Sequence, residues 1–218
     1  MNSPILQLLV LAGIAVFLIL RLKSVLGSRD GYEPPRQAEG QSARKGPNLE
    51  VIEGGPDRDI TDHVPEASES AKALQAMKDA EPSFGVSDFL QGARGAYEMI
   101  LMGFEKGDME SIQPFLAKDV YESFAEVVEA REKEGLTIKA EFIGVRELSL
   151  QSARFDPETQ EGEITVKFVG ELTYVVRDRE GELVEGSESQ IKRQKDVWTF
   201  ARTLGSDDPN WLLAATDE

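Results

Sequence analysis

Asp196, Trp198, Phe200 and Arg202 alternate along one stretch of the chain. In a strand all four side chains share one face, leaving Val197, Thr199 and Ala201 on the other. Two aromatic walls, a carboxylate and a guanidinium could form a docking surface, with contact area from the rings and orientation from the charged pair. The same four residues also suit a plain sheet core with one ion pair at its margin, because large aromatics are usually buried for packing. Trp211 and Leu213 follow a turn that would return them to one of these faces. Tyr97, Tyr121 and Tyr174 add a second kind of chemistry. A tyrosine beside an aspartate in a closed pocket can move a proton if burial raises the carboxyl pKa. The candidate pocket or docking residues are therefore Tyr97, Phe104, Phe168, Asp196, Trp198, Phe200, Arg202 and Trp211.

Other constellations are missing from the sequence. His63 is the single histidine and there is no cysteine. A Ser/His relay and a zinc site are not expected on that inventory. No glycine-rich phosphate loop occurs, so no cofactor and no metal is implied. Acidic pairs such as Glu171 with Asp196 are easy to find in a chain of net charge −16, where a solvated acidic face is the ordinary explanation. That charge also argues against nucleic acid, whose recognition needs a basic surface.

The elements that must position these residues follow from periodicity. Ser87 is a suitable N-cap for a helix in which Phe89, Ala93, Tyr97, Ile100, Leu101 and Phe104 recur at three- and four-residue steps, with Gly107 at its end. A short turn interrupted by Pro114 leads to a second helix carrying Val120, Phe124, Val127 and Val128, ending at Gly135. Thereafter the pattern alternates, predicting strands over 137–153, 162–177, 188–204 and 211–216. Turn residues at Asp156, Pro157 and Gly162, at 178–181 and at 207–210 separate them. Gly144 and Gly170 interrupt long strands and are expected to be bulges or bends that curl the sheet. The fold class expected is α+β: two or three helices packed on a curved antiparallel four-stranded sheet, enclosing a conical cavity.

The N-terminus sets the location. Residues 5–20 form a nearly unbroken apolar run, including Ile5, Leu9, Ile14, Phe17 and Leu20, followed at once by Arg21 and Lys23. As a helix the run rises about 24 Å, and continuation to Leu26 brings it to the roughly 30 Å of a hydrocarbon core. No basic residue precedes it, which favours an uncleaved anchor over a signal peptide. The flanking charges place the N-terminus outside and the remainder in the cytoplasm. Residues 27–82, with six prolines and few aromatics, read as a disordered acidic linker carrying at most a transient helix over 66–80. The expected organisation is an anchor at 1–26, the linker at 27–82 and a folded domain at 83–218.

Several segments together resemble a known family. They are Phe89-Leu90-Gln91-Gly92-Ala93-Arg94-Gly95-Ala96-Tyr97-Glu98, Phe104-Glu105-Lys106-Gly107-Asp108, Arg131-Glu132-Lys133-Glu134-Gly135, Asp196-Val197-Trp198-Thr199-Phe200-Ala201-Arg202 and Asp208-Pro209-Asn210-Trp211. They are similar to the C-terminal domain of the Tim44 family, whose mitochondrial member tethers the import motor at the inner membrane. The anchor followed by Val25-Leu26-Gly27, Arg29, Gly31, Glu33, Pro34 and Pro35 resembles the membrane-anchored bacterial branch. The resemblance implies a fold related to nuclear transport factor two, with a large hydrophobic pocket and no active site. It implies a non-catalytic adaptor at a bacterial inner membrane, with the lipid bilayer and a translocase or chaperone protein as partners. An apolar ligand or lipid in the pocket, bound or turned over by a membrane-tethered enzyme, is the alternative. In the mitochondrial tether a long segment ahead of the domain recruits a seventy-kilodalton heat-shock chaperone, whereas here that space holds only the acidic linker. At Gly170 the family is expected to carry a small hydroxyl residue.

Overall fold

In the computed structural model the described residues are 55–217. The anchor residues Ile5, Leu9, Ile14, Phe17, Leu20, Arg21 and Lys23, and the linker up to residue 54, lie outside them. Among the described residues no helix is long and apolar enough to cross a membrane.

The expected strands form. The sheet is antiparallel with four strands in sequential order: β1 (Thr137–Asp156), β2 (Glu161–Arg177), β3 (Leu183–Thr203) and β4 (Leu212–Asp217). Register shifts in β1 fall between Phe142 and Gly144, Val145 and Glu147, and Leu150 and Ser152, so the expected irregularity at Gly144 is present and two further ones follow it. Such bulges increase local twist and bend the strand, which lets a long strand curl around a core. Gly170 is different. Its pairing with Gln194 on β3 runs through without a break, and the irregularity beside it belongs to β1, whose shift between Val145 and Glu147 lies opposite Gly170 and Val169. A side chain there would stand 2.6 Å from the Tyr97 hydroxyl. The residue is small because a helix presses against the strand at that point.

Helices cover one face. α3 (Val86–Lys106) buries Phe89, Ala93, Tyr97, Ile100 and Leu101 of the expected stripe, and Leu90 beside them, while Phe104 is half-buried. It closes at Gly107 in the left-handed region, φ 72°. A short α4 (Met109–Ile112) and a single 3₁₀ turn lead to α5 (Lys118–Glu134), which ends at Gly135, φ 73°. The N-cap of α3 is Gly85 and makes no side-chain cap bond. Asp59 supplies that function from a distance, its carboxylate accepting the amides of Val86 at 2.7 Å and Ser87 at 2.8 Å. The expected cap, Ser87, is thus itself a recipient.

Asp59 belongs to a part of the chain expected to be linker. Residues 58–80 instead form α1 (Arg58–Thr61) and α2 (Glu69–Ala80), with Ser68 capping α2 through the amide of Ala71 at 3.1 Å. Ala71, Leu74 and Met77 are buried, the last two completely. The helix noted as transient is a fixed layer of the core, and the compact unit begins at Pro56 rather than at residue 83. The helical spacing of Ala71, Leu74 and Met77 is visible in the sequence, but the proline and charge around it favour a transient helix over a packed one. Their stabilisation comes from packing against the sheet rather than from helix propensity, which is weak for so short a segment.

Candidate functional site

Six of the eight candidate residues meet in one cluster: Tyr97, Phe168, Asp196, Trp198, Phe200 and Trp211. Tyr97 lies flat on Phe168, with ring centroids 4.4 Å apart and planes 6° from parallel. Trp198 tilts against Tyr97 at 4.8 Å, and Phe200 stands edge-on to Phe168 at 6.5 Å. Phe200 reaches in turn to Phe89, and Phe89 to Trp211 at 4.8 Å. The alternation read from residues 196–202 holds, since Asp196, Trp198 and Phe200 are buried while Val197, Thr199 and Ala201 are half-buried. These rings fill the space between α3 and the sheet. Tyr97 and Phe168 are fully buried and Phe200 is 1% exposed. The conical cavity expected at this place is packed solid, by the same aromatic residues that were expected to line it.

Asp196 is buried within this cluster, and the Tyr97 hydroxyl donates to its Oδ2 at 2.5 Å, with Gln194 donating to Oδ1 at 3.1 Å. Burial and the neighbouring carboxylate both push the Tyr97 hydroxyl far above the ordinary tyrosine value. The tyrosine beside an aspartate is therefore present, but as a protonated donor in a closed core. A bond of this type fixes the rotation of the Tyr97 ring and holds α3 to β3. It needs the space left by Gly170.

Arg202 does not pair with Asp196. Six residues along a strand span about 20 Å, so two side chains on one face at that separation are out of reach. Arg202 instead forms a two-oxygen ion pair with Glu81 at 2.9 and 3.0 Å and donates to the Asp208 carbonyl at 3.1 Å. The amide of Gly205 also donates to Glu81 at 2.8 Å. That amide bond and Arg202 together lower the Glu81 pKa against the opposing effect of burial. This clamp ties the end of α2 to the turn before β4. Nor do Glu171 and Asp196 form an acidic pair, since Glu171 is held by Arg193 at 2.9 Å on the neighbouring strand.

Phe104 sits apart, at the other end of α3. It packs on Phe124 at 4.6 Å, and the Arg131 guanidinium lies over its ring at 4.4 Å. Phe104 and Arg131, together with Val128, Leu136 and Ile138, border a cavity of about 190 Å³. Arg131 Nη1 faces Glu105 across 3.7 Å, an ion pair too long for a hydrogen bond, and that nitrogen is buried without a hydrogen-bond partner. Burial raises the Glu105 pKa, against the attraction of Arg131 and Lys192, and lowers that of Arg131. Nearby, Tyr174 donates to Glu185 and its pKa is pushed up to about 12, by burial first and by that carboxylate second. A second hollow of about 400 Å³ lies between α1 and α2, bordered by Pro56, Ile60, Ala71 and Ala76.

Sequence reasoning missed the Asp59 and Lys78 cluster altogether. Lys78 binds Asp57 at 2.7 Å and Asp59 at 2.8 Å while Asp59 caps α3. Burial works against ionised Asp59, yet the bonds from Lys78, Ser87 and Val86 prevail and hold it well below the usual carboxylate range. The partners lie up to 28 residues apart in sequence, so no local spacing reveals them. Among the described residues no group of His, Cys, Asp and Glu is arranged to hold a metal ion.

Helices laid on one face of a bulged, sequentially ordered antiparallel sheet and sealed by an aromatic core define an α+β module. The chain belongs to the Tim44-like domain family, whose model matches residues 70–218. It is 24% identical over 162 residues to the mitochondrial import inner membrane translocase subunit TIM44-1 of Arabidopsis thaliana, an alignment spanning 72% of this chain and 34% of that protein. The matched part is thus about a third of the length of that relative. Among solved structures, the intermembrane space region of the chloroplast protein ARC6 covers 66% of this chain and 94% of its own, at 10% identity and a TM-score of 0.38. So distant a likeness supports no inference about this chain.

Proposed function

We propose that this protein is a non-catalytic, single-pass inner-membrane adaptor whose Tim44-like domain holds a protein partner close to the bilayer. The observation that carries this reading is the presence in one chain of a domain related to an import-translocase subunit and an apolar run, residues 5–20, closed by Arg21 and Lys23. By the positive-inside rule the domain lies on the cytoplasmic side of a bacterial inner membrane. Residues between the anchor and Pro56 act as a tether. Attachment of this kind raises the local concentration of the domain at the bilayer to about the millimolar range for a short linker, so a weak contact suffices.

The packed aromatic core favours protein recognition at the surface over a ligand held inside. Among the described residues the rival, an apolar ligand or lipid in an internal pocket, has the cavity of about 190 Å³ beside Phe104, which is small for a lipid chain, and the hollow of about 400 Å³ between α1 and α2, neither of which lies in the aromatic cluster. Affinity purification of the full-length chain from detergent-solubilised membranes tests the two. The adaptor reading expects a reproducible protein partner whose recovery falls sharply when residues 1–26 are removed. Recovery of a stoichiometric apolar small molecule with no protein would replace it by the ligand reading.

A further inference from the structure

β1 is the outermost strand of the sheet, and its free edge is guarded along only part of its length. Where α2 and α3 cross it, their side chains occupy the edge. Arg94 donates to the Val145 carbonyl at 3.0 Å, and the Ala153 amide donates to the Ser70 hydroxyl at 3.1 Å. Over residues 137–142 the described backbone makes no hydrogen bond beyond the ladder with β2. An open edge of this kind is a template for another strand.

The sequence of this stretch is Thr137-Ile138-Lys139-Ala140-Glu141-Phe142. Lys139 and Glu141 are exposed on the outer face, while Ile138, Ala140 and Phe142 are half-buried on the inner one. A second copy turned about a two-fold axis through Ala140 brings each Lys139 opposite the other copy's Glu141 and each Ile138 opposite the other copy's Phe142. Oppositely charged residues directly across an antiparallel pair stabilise it, and like charges disfavour it. Other registers are penalised. A shift of two residues either way sets Lys139 against Lys139 or Glu141 against Glu141. A shift of one turns the apolar face of one copy outward. Charges on an edge usually block pairing, but in this order they favour the register centred on Ala140 over its nearest neighbours.

We propose that two copies of this chain pair antiparallel along this segment, joining their sheets in a two-fold symmetric dimer centred on Ala140. The interface is isologous, so each charge pair is made twice. Within one copy Lys139 reaches Glu188 at 3.4 Å, but the side chains are 78% and 58% exposed, and such a contact is worth little. Lys139 is therefore available. Glu141 has no ion pair among the described residues. The proposal goes beyond the adaptor reading and does not depend on which partner is held.

Because the chain contains no cysteine, one introduced thiol gives a clean test. Directly opposed residues have Cα atoms about 4.5–5.5 Å apart, within the range a disulfide spans. Full-length Ala140→Cys, oxidised mildly in its membrane, is expected to give a covalent dimer, and Ser149→Cys on the same strand is not. Adding Lys139→Glu or Glu141→Lys to Ala140→Cys is expected to slow crosslinking about tenfold, and adding both to restore it. No dimer from Ala140→Cys, equal dimer from Ser149→Cys, or indifference to the charge reversals would overturn the proposal. Should Ala140→Cys lose the circular dichroism of the folded chain, light scattering of the cysteine-free chain in detergent replaces it. Dimers for the wild type and the double reversal with monomers for the single reversals support the pairing, and the same mass for all four contradicts it.

Discussion

The two ends of the sheet are built differently. At the end where α2 docks, Ile164, Phe200 and Leu213 are at most 1% exposed, and each charge in contact with the core is matched: Glu81 by Arg202 and Gly205, Lys78 by Asp57 and Asp59. At the end formed by the β2–β3 hairpin, Ile138, Ala140 and Phe142 are half-buried, Leu183 and Val184 are 57% and 42% exposed, and the buried Nη1 of Arg131 lacks a hydrogen-bond partner. Well-packed, fully paired structure resists change, whereas uncovered apolar side chains and underused donors gain from a partner. The first end secures the fold. The second is where a protein has most to win by binding.

The largest effect that can break this contrast is a cavity at the closed end. Phe200→Ala is expected to cost about 3–5 kcal/mol, because the surrounding rings cannot collapse into the gap, and Phe104→Ala clearly less. Denaturant titration of both variants compares them directly, and equal losses would remove the distinction. Next comes Gly170→Ala, whose new methyl meets the Tyr97 hydroxyl and should cost about 1–3 kcal/mol. Combining it with Tyr97→Phe should recover part of that loss, since the closest clashing atom is gone; strictly additive losses would argue that Gly170 is small for another reason.

A third prediction concerns acid. Asp59→Ala removes the cap of α3 and is expected to cost about 1–2 kcal/mol at neutral pH. The folded-state pKa of Asp59 lies below its unfolded value, so its stabilisation is complete above about pH 4 and is lost as the pH falls through the depressed folded value. The gap between wild type and Asp59→Ala, measured by thermal unfolding, should therefore narrow below about pH 4. A gap that stays constant there would show that Asp59 acts through packing alone. The smallest effect on stability is expected at the hairpin, where Leu183→Ser should change it by less than about 0.5 kcal/mol while reducing partner recovery.

Much of this contrast was legible in the sequence, and the exceptions have physical reasons. Alternation over 137–216 gave the strands, and the parity of Trp198 and Phe200 placed them correctly on the buried face. Whether a buried face encloses a cavity depends on how closely the opposing helix approaches, and Gly170 decides that by admitting Tyr97. A small residue in a strand signals either a bulge or bend or a close approach, and at Gly170 a register shift on the neighbouring strand accompanies the close approach of Tyr97. The Asp196 and Arg202 pairing failed on distance along the strand. The partners they do have, Tyr97 and Glu81, lie 99 and 121 residues away. α2 is legible as a helix from the spacing of Ala71, Leu74 and Met77, but its place in the core is not, because the surrounding composition is that of a linker.

Photocrosslinking from single positions in the full-length chain, within intact membranes, tests the adaptor claim most directly. With the probe at Leu183, at the open end, the account predicts a discrete protein adduct that disappears when residues 1–26 are deleted. With the probe at Asp207, beside the Arg202 clamp, it predicts none. Adducts from Asp207 alone, or a Leu183 adduct that persists at equal yield without the anchor, would contradict it.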